Sequence, residues 1–115
     1  MSSGYFQIAL GRTYIDESQG FLESIRLFND RRPVSVLVKK EDFDYALEKR
    51  VFDKVIVLEE NGMLFSLCKN AHDKYCIFPR VSLLEYVPYR EAIIIDTDVL
   101  CTYDTDSVWE TFRDK

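Results

Sequence analysis

The sequence has no apolar segment near the roughly 18 residues that a membrane-spanning helix needs, and no basic start followed by the apolar stretch of a signal peptide. It also has no run rich in lysine and arginine, and its net charge of -5 argues against a nucleic-acid-binding face. Its three cysteines are an odd number, which suits reduced thiols better than a disulfide framework. These absences predict a cytoplasmic chain with no membrane span and no nucleic-acid partner.

Two common phosphate-binding motifs are missing as well. Residues 11–20, GRTYIDESQG, connect the first predicted strand to the first predicted helix, and they contain no G-x-G-x-x-G pattern. The chain also lacks a Walker-type lysine motif. The sequence therefore gives no support to a nicotinamide site or a P-loop.

What the sequence does contain is an alternation of strand and helix patterns over 115 residues, 47% of them hydrophobic. Strands are predicted at residues 5–10, 34–38, 55–58 and 92–95. Helices are predicted from Asp16 to Asn29, after Glu41, from Pro79 to Pro88 and from Ser107 onward. Strands and helices in this order predict a single α/β domain over residues 1–115, with a Rossmann-like, mostly parallel sheet and helices on both faces.

Two carboxylates stand at the end of the fourth predicted strand. Asp96 and Asp98 follow the apolar run 92–95, and residues two apart point the same way along an extended chain. Two carboxylates about 4 Å apart would repel by on the order of 4 kcal/mol at an effective dielectric of 20, unless a cation, a proton or N–H donors lie between them. Ligands of open α/β sheets bind at the carboxyl ends of such strands. The pattern favours a divalent metal, and the alternative is a pair of carboxylates that are solvated at the strand end or that cap neighbouring N–H groups.

The surrounding residues resemble a known family. Residues 79–109 read PRVSLLEYVPYREAIIIDTDVLCTYDTDSVW, with a basic residue opening a helix, then a strand, then Asp-x-Asp at its end. This stretch resembles the donor-binding core of GT-A glycosyltransferases, most closely the family 8 type that includes glycogenin, and the chain from Tyr5 onward resembles it more weakly. The resemblance implies transfer of a sugar from a nucleoside-diphosphate sugar, above all a UDP-sugar, to a glycan or protein acceptor, with Mn²⁺ or Mg²⁺ as cofactor.

The resemblance also implies the site residues. Asp96 and Asp98 would hold the metal against the diphosphate, Arg80 takes the family's basic position, and Tyr14 would lie against the uracil. The remaining residues of the implied nucleotide site are Leu10, Thr13 and Thr97. The plain alternatives are packing at a sheet edge for Tyr14 and a solvated helix start for Arg80. No catalytic base is identified.

Family members are much longer than this chain, which ends inside a predicted helix at Lys115. The expectation is therefore an N-terminal donor-binding half that is incomplete at its C-terminus. In such a half, Trp109 and Phe112 of the last helix should be unusually exposed, and the chain could self-associate.

Other interpretations stay open. A haloacid-dehalogenase-type phosphatase also uses an Asp-x-Asp motif, but on its first strand, whereas only 17 residues follow Asp98 here. A sugar-nucleotide nucleotidyltransferase would need a glycine-rich Thr-Arg loop that residues 11–20 do not provide. A non-catalytic nucleotide-binding half-domain fits the same residues. Zinc held by Cys68, His72 and Cys76 is disfavoured, because the outer two would lie about 12 Å apart along a straight helix.

Overall fold

Four strands form one sheet within residues 2–58 and 83–113, the part of the chain that the computed structural model describes. They are β1 (Ser3–Ile8), β2 (Val34–Val38), β3 (Lys54–Val57) and β4 (Glu91–Ile94). All three pairings are parallel, and the strand order is β3-β2-β1-β4. The expected α/β fold with a parallel sheet is confirmed.

The helices within residues 2–58 and 83–113 are α1 (Arg12–Leu27), α2 (Phe43–Glu48) and α3 (Asp106–Arg113), and 3₁₀ turns there span Lys40–Asp42 and Leu83–Tyr86. The predicted start of the first helix at Asp16 is wrong, because α1 begins four residues earlier. Gly11 makes this possible: its φ of 148° and ψ of 154° let the chain leave β1 and turn directly into the helix. Gln19 lies inside α1, where its side-chain amide donates to Glu23.

One face of the sheet is covered by α1 and α2. Tyr5 and Val34 of the strands pack there against Phe21, Leu22 and Ile25 of α1, because these three recur at the spacing of one helix face. A second buried cluster on this face joins the sheet to both helices through Ala9, Ile15, Val36, Val38 and Ala46. Burial of these apolar side chains between the sheet and the two helices stabilises the fold.

The opposite face carries Phe6, Leu37 and Leu58, which pack with Tyr86 and Val87. Helices were expected on both faces, but in the described part of the chain this face is covered by the 3₁₀ turn Leu83–Tyr86, by Val87 and by Tyr89, whose ring lies against Gly4 and whose hydroxyl hydrogen-bonds with that of Ser35. The predicted helix from Pro79 to Pro88 is thus a 3₁₀ turn where it is described, and its first residues lie outside the described part. No helix among residues 2–58 and 83–113 is both long and apolar enough to cross a membrane.

The last helix is present as expected, but its packing differs from the prediction. Trp109 is only 3% exposed, so the expected exposure of this side chain is wrong. Its indole N–H donates to the Tyr5 hydroxyl at 2.9 Å, and the Arg32 guanidinium lies 4.7 Å above its ring. The side chain of Phe112 lies outside the description. The large exposed apolar side chains in the described residues after β4 are instead Val99, Leu100, Tyr103 and Val108.

The start of α3 is also set by other residues than predicted. The helix was predicted from Ser107 onward, yet it begins at Asp106, and the Ser107 hydroxyl donates to the Asp104 carbonyl. The backbone carbonyl of Thr105 accepts the first N–H groups, from Val108 and Trp109. The carboxylate of Asp104 accepts the N–H of Asp106, the first residue of the helix.

Gly11→Ala should lower the free energy of unfolding by about 1–3 kcal/mol, because a residue with a Cβ is strained at this positive φ. Its Cβ would also lie 3.2 Å from Cδ2 of Tyr14. The matched control is Gly20→Ala inside α1, where the added Cβ meets only Leu100 at 3.7 Å. The control should be neutral or stabilising by up to about 1 kcal/mol, since alanine is the better helix former. Urea unfolding of both variants measures the difference, and a loss of equal size in both would contradict this role of Gly11.

Candidate functional site

The order of the four described strands reverses direction at β1. β2 and β3 lie on one side of β1, and β4 lies on the other. Ligands of open parallel sheets bind at the carboxyl ends of the strands, at such a reversal. The segments that follow β1 and β4, residues 9–14 and 95–98, meet at this edge, and they contain six of the seven site residues that the sequence suggested.

Asp96 and Asp98 lie in the segment that follows β4. The strand ends at Ile94, and Thr97 and Asp98 form a turn. Asp98 is therefore outside the extended strand, and the expectation that its side chain points the same way as that of Asp96 does not follow from strand alternation. Even so, both aspartates are exposed, while Thr97 between them is 8% exposed. Within the described residues neither carboxylate forms an ion pair or accepts a hydrogen bond, so neither caps a neighbouring N–H group there.

The inner side of this turn is tied to the body of the fold. The N–H of Ile95 donates to the Phe6 carbonyl at 3.2 Å, which continues the pairing of β4 with β1. The side-chain amide of Gln7 donates to the carbonyl of Asp96 at 3.2 Å. The hydroxyl of Thr97 donates to a carboxylate oxygen of Glu17, in α1, at 2.8 Å. Three hydrogen bonds to β1 and α1 thus hold the segment 95–97, while the side chains of Asp96 and Asp98 remain exposed.

The residues after β1 form the other side of this edge. Leu10 is half-buried and packs with Phe6, Leu37 and Leu58 on the second face, so its side chain belongs to the core beneath this edge and is not directed toward a ligand. Thr13 is exposed, and Tyr14 is 43% exposed. Both were expected in a loop, but they lie in the first turn of α1. The ring of Tyr14 lies beside Gly11, which leaves one side of the ring accessible at the helix start.

A basic residue that sequence analysis did not select also lies here. Arg12 opens α1, and its side chain is 66% exposed. Its guanidinium lies 3.7 Å from a carboxylate oxygen of Asp42 and 4.7 Å from the centre of the Tyr45 ring, so it is directed to the α2 side of the edge. Arg80, which the resemblance places against the phosphates, lies outside the described residues, as do Cys68, His72 and Cys76.

The donor set at this edge suits a metal that a nucleotide helps to hold. Among the described residues, no group of three or more His, Cys, Asp or Glu side chains could hold a metal ion by itself. Mg²⁺ usually keeps several waters and binds through one or two carboxylates together with substrate phosphates, and Mn²⁺ prefers the same hard oxygen ligands. Two exposed carboxylates therefore fit a metal bound jointly with a diphosphate better than a preformed metal site.

Besides Arg12, sequence reasoning missed Gln7 and Glu17 at this site. The only signal for Gln7 was a polar residue inside an otherwise apolar strand pattern, YFQIAL. Glu17 carried no signal, because a carboxylate on an amphipathic helix is ordinary.

A comparison of the chain with protein-family models finds no match, and a comparison with curated proteins finds none either. The resemblance to GT-A glycosyltransferases therefore rests on the residues themselves.

Proposed function

We propose that this protein is a metal-dependent glycosyltransferase of the GT-A type, which binds a nucleoside-diphosphate sugar, preferably a UDP-sugar, and transfers the sugar to a glycan or protein acceptor. The observation that carries the proposal is the turn after β4, where Asp96 and Asp98 are exposed and the backbone is held by hydrogen bonds to β1 and α1. It lies at the reversal of strand order, where parallel sheets bind their ligands.

The charge of the site supports this chemistry. When a sugar leaves a nucleoside diphosphate, negative charge grows on the diphosphate while the sugar becomes electron-poor. A hard divalent cation offsets the growing charge, and oxygen ligands such as Asp96 and Asp98 are those that Mn²⁺ and Mg²⁺ prefer. Both carboxylates are exposed and lack a cationic partner among the described residues, so either can act as a ligand without breaking an existing ion pair there.

A non-catalytic nucleotide-binding domain is the second candidate, and one observation favours it. The described residues at this edge offer carboxylate ligands for a metal and an aromatic ring on which a nucleobase can stack, but no side chain that is placed to activate an acceptor. Both candidates use the same site and the same metal. They differ in turnover, which the release of sugar from UDP-glucose and UDP-galactose measures directly.

Thermal unfolding in the presence of UDP, GDP or CDP, each with and without Mn²⁺, tests the proposal. UDP with Mn²⁺ should raise the melting temperature more than the sum of the two separate effects, because each ligand strengthens the binding of the other. GDP and CDP should raise it less if the site prefers uracil. Additive shifts for all three nucleotides would contradict a shared metal and diphosphate site.

Tyr14→Ala should weaken UDP binding by about 1–3 kcal/mol, the range for loss of a base stacked on an aromatic ring. The exposed position of this ring at the start of α1 makes such stacking possible. Tyr14→Phe is the matched control and should retain most of the affinity, since it keeps the ring and loses only the hydroxyl. Calorimetric titration with UDP measures both variants. An equal loss in both would assign the effect to the hydroxyl, and no loss in either would remove Tyr14 from the site.

A further inference from the structure

Gln7 is an unusual residue for its place in the sheet. It lies inside β1, its exposure is 0%, and its strand neighbours Tyr5, Phe6 and Ile8 are apolar or aromatic. Its side-chain N–H group donates to the carbonyl of Asp96, whereas its side-chain oxygen has no hydrogen-bond partner within the described residues. A buried amide that is only half satisfied is less favourable than an apolar side chain of similar size.

Burial of this amide therefore contributes little to stability, and the role of Gln7 is better sought in its hydrogen bond to Asp96. The bond reaches 89 positions along the sequence to the backbone of the first aspartate of the Asp-x-Asp pair. It joins the central strand of the described core to the turn that carries both exposed carboxylates.

Glu17 provides a second bond to the same turn from another element. It is half-buried in α1 and accepts the hydroxyl of Thr97, the residue between the two aspartates. Gln7 holds the turn from the sheet and Glu17 holds it from the helix, so the two bonds together fix both its position and its rotation. The side chain of Thr97 points inward as a result, and those of Asp96 and Asp98 remain at the surface.

We propose that Gln7 and Glu17 are positioning residues that fix the Asp96–Asp98 turn for joint binding of a divalent cation and a diphosphate. This inference rests on the proposed function, and it adds residues to it that do not themselves touch the metal. Residues that orient metal ligands commonly change metal affinity by 10–100-fold when they are replaced. Small displacements of a ligand are sufficient, because a site must be held within about 0.5 Å of its productive geometry.

Gln7→Met tests the sheet side of this arrangement, because methionine keeps the length of the side chain and removes the donor. The matched control is Ser18→Ala. Ser18 is also 0% exposed and its hydroxyl also lacks a partner within the described residues, but it makes no bond to the turn. Neither variant should lower the melting temperature. Only Gln7→Met should reduce the tightening of UDP binding by Mn²⁺, by about tenfold or more.

Glu17→Ala and Glu17→Gln test the helix side. Glutamine still offers an oxygen to the Thr97 hydroxyl, so Glu17→Gln should retain the metal effect, and Glu17→Ala should lose it. If both variants lost it equally, the charge of Glu17 would be what matters, and Glu17 would be a metal ligand and not a positioning residue.

NMR of the ligand-free protein keeps this inference separate from the proposed function. Backbone order parameters of residues 96–98 should fall in Gln7→Met and Glu17→Ala, and the amide of Ile95 should exchange at least tenfold faster, while Ser18→Ala should match the parent. Unchanged order parameters would overturn the inference, and so would a disordered turn with an intact metal effect. If the UDP affinity of the parent protein does not depend on Mn²⁺, the proposed function is contradicted. The order parameters would still decide whether Gln7 and Glu17 hold the turn.

Discussion

Asp30→Ala is expected to lower the free energy of unfolding by about 3–5 kcal/mol, the range for removal of one member of a buried charged network. The side chain of Asp30 is 1% exposed. One of its oxygens accepts the hydroxyls of Tyr5 and Thr105 and lies 3.1 Å from the Arg32 guanidinium, and the other accepts the N–H of Arg32 at 3.0 Å. Its removal leaves the buried Tyr5 hydroxyl without its acceptor and takes from the partly buried guanidinium the more buried of its two carboxylate partners.

The control for this prediction is Asp106→Ala. Asp106 also pairs with Arg32, at 3.1 Å, but its side chain is 65% exposed. Exposed ion pairs contribute about 0–1 kcal/mol, so this variant should lose little. Chemical denaturation of both variants and the parent gives the comparison. Similar losses in the two variants would contradict the importance of burial at Asp30.

The pH dependence of stability should report the same network. Burial by itself would raise the pKa of Asp30, but hydrogen bonds from Thr105 and Tyr5, with further help from Arg32, lower the pKa below its ordinary value. A carboxylate whose pKa is lower in the folded than in the unfolded protein stabilises the fold at pH values above its unfolded-state pKa of about 3.9. This stabilisation is lost as the pH falls through the folded-state pKa. Stability should therefore decline from about pH 5 downward, and less steeply in Asp30→Asn. Asp16 also has a lowered pKa, caused first by Lys49, but it is present in both proteins and cancels in the comparison.

The network around Asp30 and the candidate site lie at opposite ends of the sheet. Asp30 follows the end of α1 and precedes β2, so it lies at the amino ends of the strands, where Thr105 and Trp109 join it. The Asp96–Asp98 turn lies at the carboxyl ends. A loss of stability at the first site should thus leave the metal response of the folded protein unchanged, which separates structural from functional effects in the variants described above.

The sequence predicted the strands well, because apolar periodicity is a local signal. β2 was predicted with its observed bounds, and the other three strands were shifted by one or two residues. The start of α1 was missed, since it depends on the backbone angles of Gly11 and not on a capping side chain. The position of Asp96 and Asp98 at a carboxyl edge followed from the order of strands and helices.

The contacts that complete the site could not be predicted, because they join distant parts of the chain. Gln7 reaches Asp96 across 89 positions, and Glu17 reaches Thr97 across 80. The burial of Trp109 was missed for the same reason: its partner Tyr5 lies 104 positions away. A periodic pattern shows that a side chain is apolar and on one face, but it does not show which element covers that face.

The second large effect is expected at Asp98. Asp98→Asn keeps the shape of the side chain and removes its charge, so it should largely abolish the effect of Mn²⁺ on UDP binding while leaving the fold intact. The exposed position of Asp98 and its lack of a partner among the described residues make a structural effect small. UMP, which lacks the second phosphate, should show a much weaker metal dependence on the parent protein.

Calorimetric titration of UDP into the parent and into Asp98→Asn, each with and without Mn²⁺, tests the central claim most directly. In the parent, Mn²⁺ should tighten UDP by about 5–150-fold, the usual range for coupled ligands, and UDP should tighten Mn²⁺ by the same factor. In Asp98→Asn that factor should fall close to one. A parent affinity for UDP that does not depend on Mn²⁺, or a metal effect that persists unchanged in Asp98→Asn, would contradict a metal held between the Asp-x-Asp pair and a diphosphate.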